Sequence, residues 1–126
     1  MTTQTTPAFR YAAVTFDCAD PQELAAFYGE LLGHPVLFST DDFVLLGKEG
    51  AAGLGFTRIA GYRPPTWPDP ARAKQAHIEL GVDDLAEAEQ RLLELGAVKP
   101  EFQPGEGRWT VLLDPAGHPF CITTLA

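Results

Sequence analysis

Hydrophobic and polar positions follow a strand-like pattern and then a helical one near the start of the chain. The stretch from Tyr11 to Cys18 is rich in residues that favour β-strands and ends at an Asp-Pro pair. Apolar residues then recur at helical spacing, so we predict a helix that begins after Asp20 and ends at Gly33. Asp20 is a good N-cap, and Pro21 suits the first helical position. The buried helical face is predicted to consist of Leu24, Phe27, Tyr28, Leu31 and Leu32.

Three short apolar runs follow this helix, at residues 36–38, 43–46 and 54–59. They are separated by a polar Ser-Thr-Asp-Asp stretch and by a Gly/Ala stretch, both typical of turns. We therefore predict three strands of an antiparallel meander, which gives the first half the order β-α-β-β-β.

The second half repeats this order. We predict a strand at 77–82, a helix that begins after Asp84 and ends at Gly96, and strands at 97–98, 109–113 and 120–123. The two predicted N-caps, Asp20 and Asp84, are 64 positions apart, which indicates an internal duplication. Residues 61–74 contain four prolines, so this segment is predicted to be neither a regular helix nor a central strand.

These patterns predict an α+β protein made of two βαβββ modules whose open sheet faces form a cleft. The modules are expected at residues 10–60 and 75–125, joined by the proline-rich segment 61–74, within a single domain spanning 1–126. A chain of 126 residues is long enough to bury a core without disulfides or a structural metal.

Charge and cysteine content narrow the expected partners and compartment. Seventeen acidic and nine basic residues give a net charge of −8, so binding to nucleic acid or an anionic membrane is not expected, and neutral or cationic ligands are favoured. No apolar run approaches the ~18 residues of a membrane span, and residues 1–7 lack the features of a signal peptide. The two cysteines form no CxxC pair, and we expect a reduced, cytoplasmic setting.

Three stretches resemble the vicinal oxygen chelate superfamily of glyoxalase I, bleomycin-resistance proteins and extradiol dioxygenases. They are Phe-Asp-Cys-Ala-Asp-Pro at 16–21, His-Ile-Glu-Leu-Gly-Val-Asp-Asp at 77–84, and the strand at 109–113 followed by Asp-Pro-Ala-Gly-His-Pro-Phe at 114–120. The resemblance covers residues 10–125 and is closest to the glyoxalase-like domain branch. It implies paired βαβββ modules around a cleft and a homodimer. In metal-dependent members, the ligands lie on the first and last strands of each module.

This resemblance also implies that the family's metal site is incomplete here. His77 matches a family ligand position, whereas the equivalent position in the first module is Ala13. Cys121 stands where the second module usually has a glutamate, and residues 55–57 offer no carboxylate. A divalent metal site normally needs at least three protein ligands, so we expect no metal and no other cofactor.

Each candidate site residue has a functional and a structural interpretation. His77 and Glu79 form either a cleft pair that binds a ligand or moves a proton, with Glu79 orienting the imidazole, or a polar pair inherited from a metal-binding ancestor. Cys121 is either a nucleophile beside His77 or a small buried apolar residue. Asp17 either receives a cationic ligand at the cleft mouth or caps a turn. Two further candidates, Trp67 and Trp109, either line the cleft or belong to the core.

The sequence thus predicts a cleft that binds a small cationic or aromatic molecule without a metal, as in the bleomycin-resistance branch. The alternative is a metal-dependent lyase, isomerase or dioxygenase with a site rebuilt around His77, Glu79 and Cys121. A third hypothesis is an interaction module that uses the fold only as a dimer scaffold. The predicted ligand-binding residues are His77, Glu79, Cys121, Asp17, Trp67 and Trp109.

Overall fold

The computed structural model describes Ala8 and residues 10–124, so the predicted absence of a signal peptide at 1–7 lies outside the described residues. The predicted α+β class is confirmed by the two α-helices and two small sheets of these described residues, and the sheets do not close into a barrel. The first half contains β1 (Ala13–Cys18), α1 (Pro21–Leu32), β2 (Val36–Ser39), β3 (Phe43–Leu46) and β4 (Gly53–Arg58). The second half contains β5 (Glu79–Gly81), α2 (Leu85–Glu94), β6 (Trp109–Leu113) and β7 (Pro119–Thr123).

Both helices begin at the predicted aspartates. The Asp20 carboxylate accepts a 3.1 Å hydrogen bond from the Glu23 backbone N–H, and the Asp84 carboxylate accepts a 2.9 Å bond from that of Glu87. Each side chain thereby satisfies a backbone donor that has no partner within the helix. Helix α1 ends at Gly33, whose φ of 67° is left-handed and favours glycine.

The first sheet has the strand order β1-β4-β3-β2, with β1 parallel to β4 and the other pairs antiparallel. Its register aligns Phe16, Phe56 and Val44 in one row across three strands. Helix α1 covers this face, where the Tyr28 ring stacks on Phe56 with centroids 5.6 Å apart. The opposite face of β1 carries Thr15 and Asp17, both exposed.

The second sheet has the order β5-β7-β6 and lacks one predicted strand, because residues 97–98 contribute only an isolated bridge between Val98 and Leu113. Two features stop this bridge from extending into a ladder. Pro100, at the next pairing position, has no N–H. The Gln103 side chain instead bonds both backbone groups of Val111, at 2.9 Å each.

The first strand of the second half is also shorter than predicted, so His77 lies before β5 rather than inside it. The Cys121 N–H still bonds the Ile78 carbonyl at 2.9 Å, which keeps this segment beside β7. Pro119, two positions earlier on β7, has no N–H with which to continue the ladder toward His77.

The two halves share one core. Phe120 from β7 contacts the rings of Phe27 and Tyr28 from α1, with centroids 6.0 and 6.3 Å apart. Helix α1 packs on β3 and β4 and helix α2 on β6 and β7, whereas residues of the segment between β4 and β5 lie near Thr15 and Asp17 on the open face of β1. No helix in the described part of the chain is long and apolar enough to cross a membrane.

Candidate functional site

The proline-rich segment 61–74 forms one wall of two neighbouring cavities. As predicted, it is mostly irregular, although Pro70–Arg72 forms one turn of 3₁₀ helix. Thr66 and Arg72 close the segment on itself through backbone and side-chain bonds of 2.7 and 2.9 Å. The Tyr62 hydroxyl donates a 2.8 Å bond to the Ala116 carbonyl, which fixes the segment to the turn before β7.

The first cavity, which we call the tryptophan cavity, has a volume of about 250 Å³ and lies on the open face of the second sheet. Strand register places Glu79, Cys121 and Val111 in one row across this sheet. Trp109 lies two positions from Val111 and therefore faces the same side. The cavity is lined by Trp67, Lys74, His77, Glu79, Pro104, Trp109, Val111, Pro119 and Cys121. It brings together five of the six sequence-predicted site residues, including both tryptophans of the chain.

A cation lies beside each of the two tryptophan rings of this cavity. Lys74 Nζ lies 5.9 Å from the centroid of the Trp67 ring, and the Arg108 guanidinium lies 5.1 Å from that of Trp109. The Glu79 carboxylate does not hydrogen-bond the His77 imidazole, so the orienting role expected for Glu79 is not seen within the described chain. His77 is exposed at the edge of the cavity and makes no hydrogen bond to the described residues.

The thiols of the chain are held in their neutral form. Burial raises the pKa of Cys121, the Glu79 carboxylate raises it further, and the Lys74 ammonium partly opposes this shift. Burial similarly raises the pKa of Cys18 to about 11. A nucleophilic cysteine needs a lowered pKa, so the structure favours the apolar interpretation of Cys121.

Asp17 is the one predicted site residue outside the tryptophan cavity. It borders a second cavity of about 420 Å³, which we call the basic cavity, on the open face of β1. The lining residues are Val14, Thr15, Phe16, Asp17, Tyr62, Arg63, Pro65, Arg72, Ala73, Lys74, Gln75, Ala76 and His118. The two cavities share Lys74. The six predicted site residues are therefore distributed over two cavities rather than one.

His118 is fixed at the floor of the basic cavity. Its Nε2 lies 2.7 Å from the Asp17 carbonyl, an acceptor only, so Nε2 carries a proton and donates. The same nitrogen lies 3.3 Å from the Tyr62 hydroxyl oxygen. Burial raises the pKa of Tyr62, which keeps this phenol protonated as a donor to Ala116. His118 is thus half-buried and hydrogen-bonded to the backbone of β1.

Sequence reasoning passed over the cations of the basic cavity, namely Arg63, Arg72 and Lys74. A signal for them was present, since three of the chain's nine basic residues fall within twelve positions of the proline-rich segment. The position of that segment beside β1 could not be predicted from its sequence, because irregular backbone has no periodic pattern of apolar residues.

The residues at the family's metal-ligand positions do not form a complete set of ligands in this chain. Ala13 has no donor atom, and the exposed His77 is not joined by a second imidazole or a paired carboxylate. Within the described residues, no three or more side chains of His, Cys, Asp or Glu are grouped closely enough to hold a metal ion. These residues therefore do not fit the family's metal ion.

Two βαβ-type halves that share a core and leave their sheet faces open define the glyoxalase/bleomycin-resistance fold. The chain belongs to the glyoxalase-like domain family, whose sequence profile matches residues 13–123. The comparison with curated proteins finds no match.

Solved structures agree with this fold. The trypanothione-dependent glyoxalase I of Leishmania major is 23% identical over 92% of this chain and 86% of its own, with a TM-score of 0.65. A glyoxalase-related enzyme from Fulvimarina pelagi is 21% identical over 90% of this chain and 86% of its own, with a TM-score of 0.62. The bleomycin-binding protein of Streptomyces verticillus, solved with copper(II)-bleomycin, is 17% identical over 96% of this chain and 100% of its own, with a TM-score of 0.57. Identities this low establish the shared fold alone.

Proposed function

We propose that this protein binds a small aromatic molecule in the tryptophan cavity without the help of a metal ion. One observation carries the proposal: Trp67, Trp109, His77, Glu79 and Cys121 line a single cavity on the open sheet face. Aromatic walls with a few polar groups are how small-molecule sites are usually built. The bleomycin-binding protein shows that this fold can hold an organic ligand.

The polar groups suit recognition better than covalent chemistry. His77 is exposed and can donate or accept a hydrogen bond, while the neutral thiol of Cys121 contributes an apolar surface. The alternative is a metal-dependent lyase, isomerase or dioxygenase. It is favoured by the same convergence of His77, Glu79 and Cys121, but it would require a ligand set that the described residues do not supply.

Intrinsic fluorescence offers a direct test, because both tryptophans line the proposed site. We expect saturable changes in emission on titration with benzoate, benzamide or benzylamine, which share a ring and differ in charge. His77→Ala should weaken binding while leaving the unfolding midpoint nearly unchanged, since this exposed side chain makes no hydrogen bond to the described part of the protein. Gln90→Ala, an exposed change on α2, serves as the control. Failure of all three probes to alter the emission at high millimolar concentration would contradict the proposal. Stoichiometric metal in protein purified without chelator would instead favour the alternative.

A further inference from the structure

The charge of the basic cavity is opposite to that of the protein as a whole. Arg63, Arg72 and Lys74 line it against a single carboxylate, Asp17, although the chain carries a net charge of −8. A third of all basic residues therefore border one depression of about 420 Å³. Inside the cavity, charges closer than the Debye length of about 8 Å dominate the electrostatic potential. The three cations therefore outweigh the more distant acidic residues of the surface.

Among the described residues, no ion pair neutralises these cations. The ion pairs in the described residues use Arg58, Arg91 and Lys99, and none involves the three cations of the cavity. The acidic residue nearest Arg72 in sequence, Asp69, instead accepts a 2.8 Å bond from the Ala71 backbone N–H. Unpaired cations gathered around a concave surface favour binding of an anion.

The cations are also held in place to different degrees. One guanidinium nitrogen of Arg72 donates a 2.7 Å bond to the Pro64 carbonyl, which leaves its remaining donors for a ligand. Lys74 lies beside the Trp67 ring and borders both cavities. Arg63 is exposed and makes no hydrogen bond within the described residues, so it is free to close over a bound group.

We propose that the ligand of this protein carries a carboxylate or a similar oxyanion, which Arg63, Arg72 and Lys74 hold in the basic cavity while its aromatic part enters the tryptophan cavity. This inference rests on the proposed function and reverses the charge that the acidic composition favours. Thr15 and Gln75 also line this cavity and supply neutral donors, and planar guanidinium groups match the two oxygens of a carboxylate.

The same three probes test this inference separately from the proposed function. Benzoate should bind more tightly than benzamide, and benzamide more tightly than benzylamine, as measured by tryptophan emission and by backbone amide NMR shifts. Arg63→Gln should weaken benzoate binding about five- to tenfold, the range expected for a partly exposed charge-assisted hydrogen bond, and should leave benzamide binding unchanged. Because Arg63 makes no bond in the described residues, this variant is expected to fold, unlike Arg72→Gln, which removes a bond to the loop.

Lys48→Gln is the matched control, since Lys48 is exposed and lies outside both cavities. Equal binding of benzoate and benzamide would overturn the anion inference and leave the proposed function standing. The anion inference would also be overturned if Arg63→Gln and Lys48→Gln weakened benzoate binding equally, because that result would reflect a change in overall charge only. Absence of binding by every probe would overturn both proposals.

Discussion

The hydroxyl of Tyr28 on α1 donates a 2.6 Å hydrogen bond to Oδ2 of Asp114, 86 residues later in the other half of the chain. Both residues are buried, at 1% and 4% exposure. Oδ1 of Asp114 accepts two further bonds, from the backbone N–H groups of Ala116 and His118 at 2.9 and 3.0 Å. One carboxylate thus joins the first helix to the turn that carries His118 into the basic cavity.

Removing this hydroxyl should destabilise the protein. In Tyr28→Phe, Oδ2 of Asp114 loses its partner in a buried setting, and we expect a loss of about 2 kcal/mol in the free energy of unfolding. Tyr62→Phe is the control, because it removes a bond to a backbone carbonyl in a half-buried place and should cost less than about 1 kcal/mol. Urea unfolding at neutral pH would measure both. Equal losses in the free energy of unfolding would show that the Tyr28–Asp114 bond stabilises the protein no more than the Tyr62–Ala116 bond does.

The deficit of Tyr28→Phe should depend on pH. Burial raises the pKa of Asp114 above its ordinary value of 3.8, while the bond from Tyr28 acts in the opposite direction. In the wild-type protein, the contribution of Asp114 to the free energy of unfolding is therefore most favourable below pH 3.8. This contribution declines as the pH rises through the pKa that Asp114 has in the folded protein. Removing the bond raises that pKa further, so the deficit should shrink as the pH falls toward 3.8 and grow toward neutrality. Parallel unfolding curves at each pH would check this, and a deficit independent of pH would contradict it.

The sequence predicted the elements whose signals are local. Asp20 and Asp84 begin both helices because a short polar side chain before helical apolar spacing satisfies the free backbone donors. The strands at 43–46 and 109–113 follow from their β-rich composition. The predicted strand at 97–98 is reduced to a bridge because the side chain of Gln103 occupies the pairing position, which periodicity does not show.

The candidate site was also predicted only where a local sequence pattern defined it. Glu79, Cys121 and Trp109 come together because strand alternation and the resemblance define which side chains share a face. Asp17 was expected with them, but it borders the basic cavity, one wall of which is the irregular chain that includes residues 73–76. Only the three-dimensional path of that irregular segment decides this division, and it also gathers the cations that sequence reasoning passed over.

The absence of a metal remains a prediction that thermal unfolding can test. A metal that binds only the folded protein raises the melting temperature by mass action. Because His77 and Cys121 lack a sufficient set of neighbouring ligands in the described residues, we expect no rise with saturating nickel, zinc or manganese beyond the scatter between repeats. A clear rise that disappears in His77→Ala would contradict this expectation.

The expected homodimer also remains a prediction. Strand β2 forms an edge of the first sheet and exposes Val36, Leu37 and Phe38 at 56%, 62% and 54%. An exposed apolar edge strand is a ready surface for pairing with another chain. We expect light scattering to give the mass of two chains and Leu37→Lys to shift the population toward one. A wild-type mass of one chain across a concentration series would contradict the dimer.

The reactivity of Cys121 should respond in opposite directions to its two charged neighbours. The Glu79 carboxylate raises the pKa of this thiol and the Lys74 ammonium lowers it, while burial sets the larger part of the shift. Because the thiolate is the reactive form, Glu79→Gln should speed alkylation of this buried thiol by iodoacetamide and Lys74→Gln should slow it, each by about two- to threefold. Both variants are best made in a Cys18→Ala background, so that one thiol is followed by mass spectrometry. A general loosening of the fold would speed the reaction in both variants, whereas charge control requires opposite changes. Rate changes of the same sign in both variants would therefore contradict an electrostatic effect of Glu79 and Lys74 on the Cys121 thiol.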